Sequence, residues 1–286
     1  MLISKNVLIT GASRGLGRAI ARAFWKDGAN VIITARSEND LKLLQRELRS
    51  SAKPYQQVDL IVADLSSATA ITDLVAQARR ACDHIDVLVN NAAVVGPIGT
   101  AWEVDWESWI FTLNVNLLAP VQLCRLCIPW MKERGKGKII NISGGGATGP
   151  RPRFSPYATA KAGLVRFTET LAMELKEFNI QVNAVAPGIM NSEMTAAVLA
   201  AGKERAGEKE YANAAAQRIA IKDNAEKAAR LCVYLTSSFG DSITGKLISA
   251  VWDSWENLTD HSEELAKSDI YTLRRIVPKD RGKSWS

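Results

Sequence analysis

A phenol and an ammonium stand four residues apart in Tyr157-Ala158-Thr159-Ala160-Lys161. The stretch before them, Ser155-Pro156, predicts a helix start with Ser155 as N-cap and Pro156 at the first helical position. Leu164, Phe167, Leu171 and Leu175 then recur at helical spacing. Residues at i and i+4 share a helix face, so the Lys161 head can sit near the Tyr157 oxygen. A free tyrosine titrates at about 10, and a nearby cation favours its phenolate. The pair therefore reads as an acid/base group for use near neutral pH, with a solvated lysine beside a half-buried tyrosine as the plain alternative.

Two further groups of residues bear on what such a pair would act upon. Val7-Leu8-Ile9-Thr10 is an apolar run that ends in Gly11-Ala12-Ser13-Arg14-Gly15-Leu16-Gly17, and Leu16, Ile20, Ala23 and Phe24 then mark a helix. Strand, glycine turn and helix make a dinucleotide-binding context, because backbone can approach a pyrophosphate and a helix N-terminus attracts its charge. The second strand, Asn30 to Thr34, runs into Ala35-Arg36, where NAD-selective folds carry an acidic residue. A carboxylate would repel a 2'-phosphate, whereas Arg36 with Arg14 could clamp one, so NADP(H) is expected over NAD(H).

The elements that must position these groups alternate along the chain. Further strands are expected near Asp59 to Ala63, Val87 to Val89, Lys138 to Ile142, Gln181 to Val185 and Lys246 to Ala250, with helices starting near Ser67, Asp105, Pro156, Ser192 and Asn224. That alternation predicts an α/β, Rossmann-type doubly wound, predominantly parallel sheet. Asp64-Leu65 and Asn90-Asn91-Ala92-Ala93 follow the third and fourth strands, at the carboxyl ends that line a ligand crevice. The run from Thr195 to Arg218, rich in Ala, Lys and Glu, reads as a solvated, mobile helical lid.

In this order and at these separations, Thr10-Gly11-x-x-x-Gly15-x-Gly17, Asn90-Asn91-Ala92-Ala93, Asn116, Tyr157-x-x-x-Lys161 and Pro187-Gly188 resemble the short-chain dehydrogenases/reductases, over roughly residues 5 to 250. The resemblance implies a seven-stranded sheet with helices on both faces and hydride transfer between NADP(H) and a small carbonyl or alcohol. It implies that Tyr157 is the general acid/base, that Lys161 grips the nicotinamide ribose and lowers the tyrosine pKa, and that Asn116 holds a relay water. Gly11, Ser13, Arg14, Gly15, Leu16, Gly17, Arg36, Asp64, Leu65, Asn91, Ala92, Tyr157, Lys161, Pro187, Gly188, Ile189 and Ser192 are the cofactor-contacting positions it implies, Ser192 replacing a threonine. The family's substrate-binding serine falls on Gly144; either the Gly144-Gly145-Gly146 loop carries one extra residue and Ser143, one residue upstream, takes its place, which is the favoured reading, or the site lacks that hydroxyl. A non-catalytic NADP(H)-binding regulatory or structural protein is the alternative. A homodimer or homotetramer is also implied, with the helices containing Cys124 and Lys161 as interfaces.

One physical hint about Asn116 is independent of the resemblance. If Asp105 to Met131 is one helix, Pro120 cannot donate to the Asn116 carbonyl, which leaves either a water acceptor or a simple kink.

Composition bounds the rest. A chain of 286 residues with 47% apolar content can bury one sizeable core, here residues 1-251 as an NADP(H)-binding domain and 252-286 as an extension packing on the body or on a partner subunit. No stretch of about 20 apolar residues stands out, so no membrane span is expected. The first strand begins too early for a signal peptide, which points to the cytoplasm. The four cysteines, Cys82, Cys124, Cys127 and Cys232, have only two histidines for company and read as reduced thiols, with no metal site. A net charge of +6 is spread out, without the clustered basic face of a nucleic-acid binder.

Overall fold

The computed structural model describes residues 1–190, 193–220 and 223–285, with 217–220 as backbone only. Its centre is a seven-stranded sheet in the order β3-β2-β1-β4-β5-β6-β7, in which every pairing is parallel. The strands are β1 Asn6–Thr10, β2 Asn30–Ala35, β3 Val58–Val62, β4 Val87–Asn90, β5 Gly137–Ile142, β6 Ile180–Ala186 and β7 Leu247–Ser249. Each expected strand is present, its ends shifted by no more than a residue or so, because short apolar runs between helices have few other ways to satisfy their backbone.

Alternation along each strand feeds two apolar layers. Val7 and Ile9 of β1 turn to one face and Leu8 to the other; Val87 and Val89 are likewise opposed to Leu88 in β4. The first layer is closed by α1 (Gly15–Lys26), α2 (Glu38–Arg49) and α9 (Asn224–Thr236), the second by α3 (Ala68–Ala81), α5 (Ala119–Glu133) and α6 (Ser155–Glu174). Strand order reverses between β1 and β4, so the carboxyl ends of those two strands open onto a crevice.

Helix starts follow local chemistry. Ser67 Oγ accepts from the Ala70 amide at 3.3 Å, and Asp105 Oδ2 from the Ser108 amide at 2.8 Å. The expected Ser155 cap is corrected. Ser155 is already the first helical residue, Phe154 precedes it without a side-chain cap, and Ser155 Oγ instead accepts from Trp109 Nε1 at 3.2 Å.

The segment from α4 (Trp106–Leu113) through α5 is a continuous helical run broken by one π-helical turn, Asn114–Leu118, where the Ala119 amide bonds the Asn114 carbonyl. A wider turn just before Pro120 absorbs the donor that proline lacks. Contrary to the composition reading, Trp106–Glu133 is long and apolar enough to cross a membrane. Its apolar character has another use in part, since Leu123, Cys124, Cys127, Trp130 and Met131 pack into the second layer.

Past Ala250 the chain keeps contributing to the first layer through Trp255, Leu258 and Leu265. Leu273 then lies against Val165 and Ala184, with its amide held by Glu169 Oε1 at 2.6 Å.

Candidate active site

The glycine turn after β1 is fixed by contact rather than by sequence pattern alone. A Cβ on Gly17 would lie 2.1 Å from the Gly11 carbonyl oxygen, so α1 can pack this close to the turn only with glycine there. Gly15, at a φ of +50°, has nothing within 4 Å of where its Cβ would be. The Cβ position of Gly15 therefore faces open space at the start of α1, whose first residues line the cavity at the carboxyl ends of the strands, and among the described residues the Arg14 side chain makes no cap bond there.

Thr10 ties the turn to the end of β4. Its hydroxyl accepts from the Asn91 amide at 2.9 Å and the Ala92 amide at 3.0 Å, while Asn91 Nδ2 donates to the Thr10 carbonyl at 2.8 Å. Asn91 thus spends its amide on the scaffold and leaves the rest of the loop to shape the wall.

One cavity of about 1010 Å³ runs along these carboxyl ends. Gly11, Ser13, Arg14, Gly15, Leu16, Gly17, Arg36, Asp64, Leu65, Asn91, Ala92, Ser143, Tyr157, Lys161, Pro187, Gly188 and Ile189 all line it. Asn116 does not. It is fully buried behind the wall, where its Oδ1 accepts from the Val94 amide and its Nδ2 donates to the Val94 carbonyl, both at 2.8 Å. Ser192 lies outside the described residues.

Tyr157 and Lys161 enter the cavity from the first turns of α6 and are almost wholly buried. Lys161 Nζ donates to the Ile142 carbonyl at 2.7 Å and stands 5.8 Å from the centroid of the Tyr157 ring. Burial pushes the ammonium down to about 8 and the phenol up to about 12. The expectation that Lys161 lowers the tyrosine is therefore corrected for the protein without cofactor. Desolvation dominates, and the charge that opposes it at Tyr157 belongs to Arg151.

Arg14 also departs from expectation. It forms an ion pair with Glu193 at the start of α7 (Glu193–Ala206), whereas Arg36 is exposed and pairs with no described residue. Ser143 Oγ is buried and has no hydrogen-bond partner among the described residues. Gly144 accounts for the missing serine in spatial terms, since a Cβ there would stand 2.3 Å from the Tyr157 hydroxyl oxygen.

The lid is α7, which bends at Gly202, and α8 (Glu208–Ala220). Its inner face is not solvated as expected. Val198, Ala206 and Ala214 are buried with Ile98, Phe154 and Tyr157, and Met194 and Ala197 pack at the edge. The small alanines that dominate the segment hid this face, because alanine counts little in a periodicity. Two arginines before α6 hold the lid down: Arg151 Nε and Nη2 donate to Glu210 at 3.2 and 2.8 Å, and Arg153 Nη1 donates to the Glu204 carbonyl at 2.6 Å. Arg151, Met194, Thr195, Val198, Glu210 and Asn213 line the cavity and were not foreseen, since no spacing rule links them to Tyr157.

Comparison with known proteins fits this arrangement. The family model described as short chain dehydrogenase matches residues 5–203. Human "Dehydrogenase/reductase SDR family member 4" is 33% identical over 247 residues, covering 86% of both chains. A "Putative ketoacyl reductase" of Streptomyces coelicolor is 36% identical over 197 residues, 68% of this chain and 74% of that one. A crystal structure of an actinorhodin polyketide ketoreductase variant with NADPH superposes with a TM-score of 0.76 at 30% identity, covering 86% of this chain and 95% of that chain.

Proposed function

The chain belongs to the short-chain dehydrogenase family, and from that membership we propose that it is an NADP(H)-dependent oxidoreductase that interconverts a ketone or aldehyde with an alcohol. The observation that carries this reading is that Tyr157 and Lys161 line the same cavity as the first turn of α1 and the exposed Arg36.

The residues present fit the cofactor. The open space over Gly15 suits a pyrophosphate at a helix N-terminus, and Arg36, with Arg14 once it leaves Glu193, suits a 2'-phosphate. Asp64, Leu65, Asn91 and Ala92 border the adenosine and ribose side; Pro187, Gly188 and Ile189 border the nicotinamide end. The bound nicotinamide supplies hydride.

The protein's own part is protonic and electrostatic. A phenol held near 12 is protonated at neutral pH and can donate to the oxygen of a carbonyl as negative charge gathers on it. The reverse direction needs the phenolate, so alcohol oxidation is expected to quicken as pH rises. Lys161, already bonded to the Ile142 carbonyl, has further N–H groups for a ribose. Asn116 clamps the Val94 backbone and so shapes the wall, and a relay water would bond its backbone carbonyl or the remaining N–H and lone pair of its side-chain amide. Ser143 offers a hydroxyl one residue before the family's usual place.

The test is turnover of a panel of simple carbonyls (ethyl acetoacetate, cyclohexanone, benzaldehyde) with NADPH. Tyr157→Phe is expected to stop turnover while NADPH still binds, and Arg36→Asp to weaken NADPH binding far more than NADH binding. NADPH binding by a protein that turns over nothing would favour the regulatory alternative instead. Equal affinity of the unaltered protein for NADH and NADPH would refute the phosphate clamp.

A further inference from the structure

The loop where the family's serine should stand is three glycines, and a guanidinium lies across it. Arg151 approaches the loop closely: a Cβ on Gly145 would meet its Nη1 at 3.6 Å, and one on Gly146 its Cβ at 3.2 Å. The guanidinium carbon stands 4.1 Å from the Phe154 ring centroid and 5.7 Å from that of Tyr157. Glu210 of the lid takes two of its nitrogens, Nε and Nη2, in a bidentate pair, while Nη1 has no acceptor among the described residues. Both side chains are mostly buried, and both line the cavity.

We propose that Arg151 Nη1, steered by Glu210, is the hydrogen-bond donor that meets the substrate oxygen beside Tyr157, in place of a serine hydroxyl. The proposal rests on the carbonyl-reductase reading above and adds to it a donor and a lid contact.

Three considerations support it. Space comes first, because a serine Cβ at position 144 would press on the Tyr157 oxygen at 2.3 Å, so this loop is shaped for a donor arriving from outside it. Reach comes second. Ser143 lines the cavity with its Oγ buried, whereas the guanidinium fork keeps two N–H groups on Nη1 after Glu210 has used its other edge. Charge comes third. Arg151 is the group that offsets the burial of the Tyr157 phenol, and a cation at that distance also steadies negative charge forming on a substrate oxygen. The charged groups that bear on the phenol are then Lys161 on its own helix, Arg151 from the preceding loop and, through Arg151, Glu210 from α8.

Because Glu210 belongs to the lid, the donor is aimed only when the lid is down. The apolar groups that line the cavity on the lid side, Met194, Val198 and Ala214, would take the rest of the substrate. A carbonyl compound with an apolar body is the class this pocket fits.

The experiment compares Arg151→Met, Arg151→Lys, Glu210→Gln and Ser143→Ala on ethyl acetoacetate and cyclohexanone. Removing a donor to a developing oxyanion costs on the order of 100-fold or more in rate, so Arg151→Met is expected to lose that much kcat/KM while its NADPH dissociation constant stays within about twofold. Arg151→Lys should recover part of the loss, since it keeps charge but not the fork, and Glu210→Gln should fall between. A loss below about threefold in Arg151→Met, or a larger loss in Ser143→Ala, overturns the proposal.

A second readout needs no turnover. Calorimetric titration of the NADP+-loaded protein with cyclohexanone, a pair that holds no hydride, should show weaker ketone binding in Arg151→Met than in the unaltered chain and unchanged binding in Ser143→Ala. Equal binding in Arg151→Met overturns the role of Arg151. If the unaltered chain reduces nothing yet binding falls in Arg151→Met, the carbonyl-reduction reading falls while the placement of Arg151 stands.

Discussion

Tyr157 and Lys161 are driven by one cause toward their neutral forms. Both are buried under the lid, and removal of water penalises the ammonium and the phenolate alike, which holds Lys161 near 8 and Tyr157 near 12. Between pH 8 and the ordinary lysine value of 10.5, an unfolded chain keeps a proton that the folded chain has released. Stability must therefore rise with pH across that window. For Lys161 alone the rise from pH 7 to 9.5 is roughly 2 kcal/mol. Lys161→Met, which removes the buried charge, is expected to flatten that part of the stability curve in cofactor-free protein. Urea midpoints at the two pH values, read for both chains, measure it; parallel slopes would mean that Lys161 is already charged and solvated. The spacing of the pair was legible in the sequence, but its electrostatics were not. An i, i+4 rule places two heads together and says nothing about the lid above them.

At the scale of elements, the turn between α4 and α5 shows why a pattern can be half right. Pro120 signalled a break in hydrogen bonding, and the helix does widen there, into a π-turn that carries Asn116. What the pattern could not supply was the partner of the Asn116 side chain. Val94 lies 22 residues away in sequence, and its amide and carbonyl are both satisfied by this one amide group. Replacing both bonds by nothing leaves two backbone groups unpaired, at about 1–3 kcal/mol each. Asn116→Ala is expected to lose about 2–6 kcal/mol in denaturant unfolding and to loosen the loop that begins at Val94, raising KM for the carbonyl substrate more than the NADPH dissociation constant. Equal loss of both affinities would assign Asn116 to the cofactor side instead. The lid is the opposite case, a segment whose alanines concealed a packed face until Phe154 and Ile98 were seen beneath it.

At the scale of the whole molecule, a parallel sheet with helices on both faces followed from the alternation of strands and helices, because such a sheet requires near-continuous apolar strands and right-handed helical crossovers, whereas the strand order did not. The last 35 residues carried no such pattern, and an extension packing on the body or on a partner subunit was the reading. The family match ends at residue 203, yet Trp255 beyond it is one of the buried aromatics of the first layer. Its ring meets Tyr234 edge-on with centroids 5.5 Å apart, and its Nε1 donates to the Ala250 carbonyl at 3.2 Å. Farther along, Lys246 Nζ bonds the Ser268 and Ile270 carbonyls, at 3.0 and 2.9 Å. These contacts join the tail to β7 and α9, the elements that close one edge of the sheet beside Pro187 and Gly188. If the tail is an integral wall of that edge, Trp255→Ala should cost about 3–5 kcal/mol, as for other buried aromatics, in a single cooperative urea transition. It should also weaken NADPH binding, through Val251, whose side chain lies 2.5 Å from where a Cβ on Gly188 would be. A cost under about 1 kcal/mol, or a separate early transition that leaves NADPH binding intact, would make residues 252–286 an appendage after all.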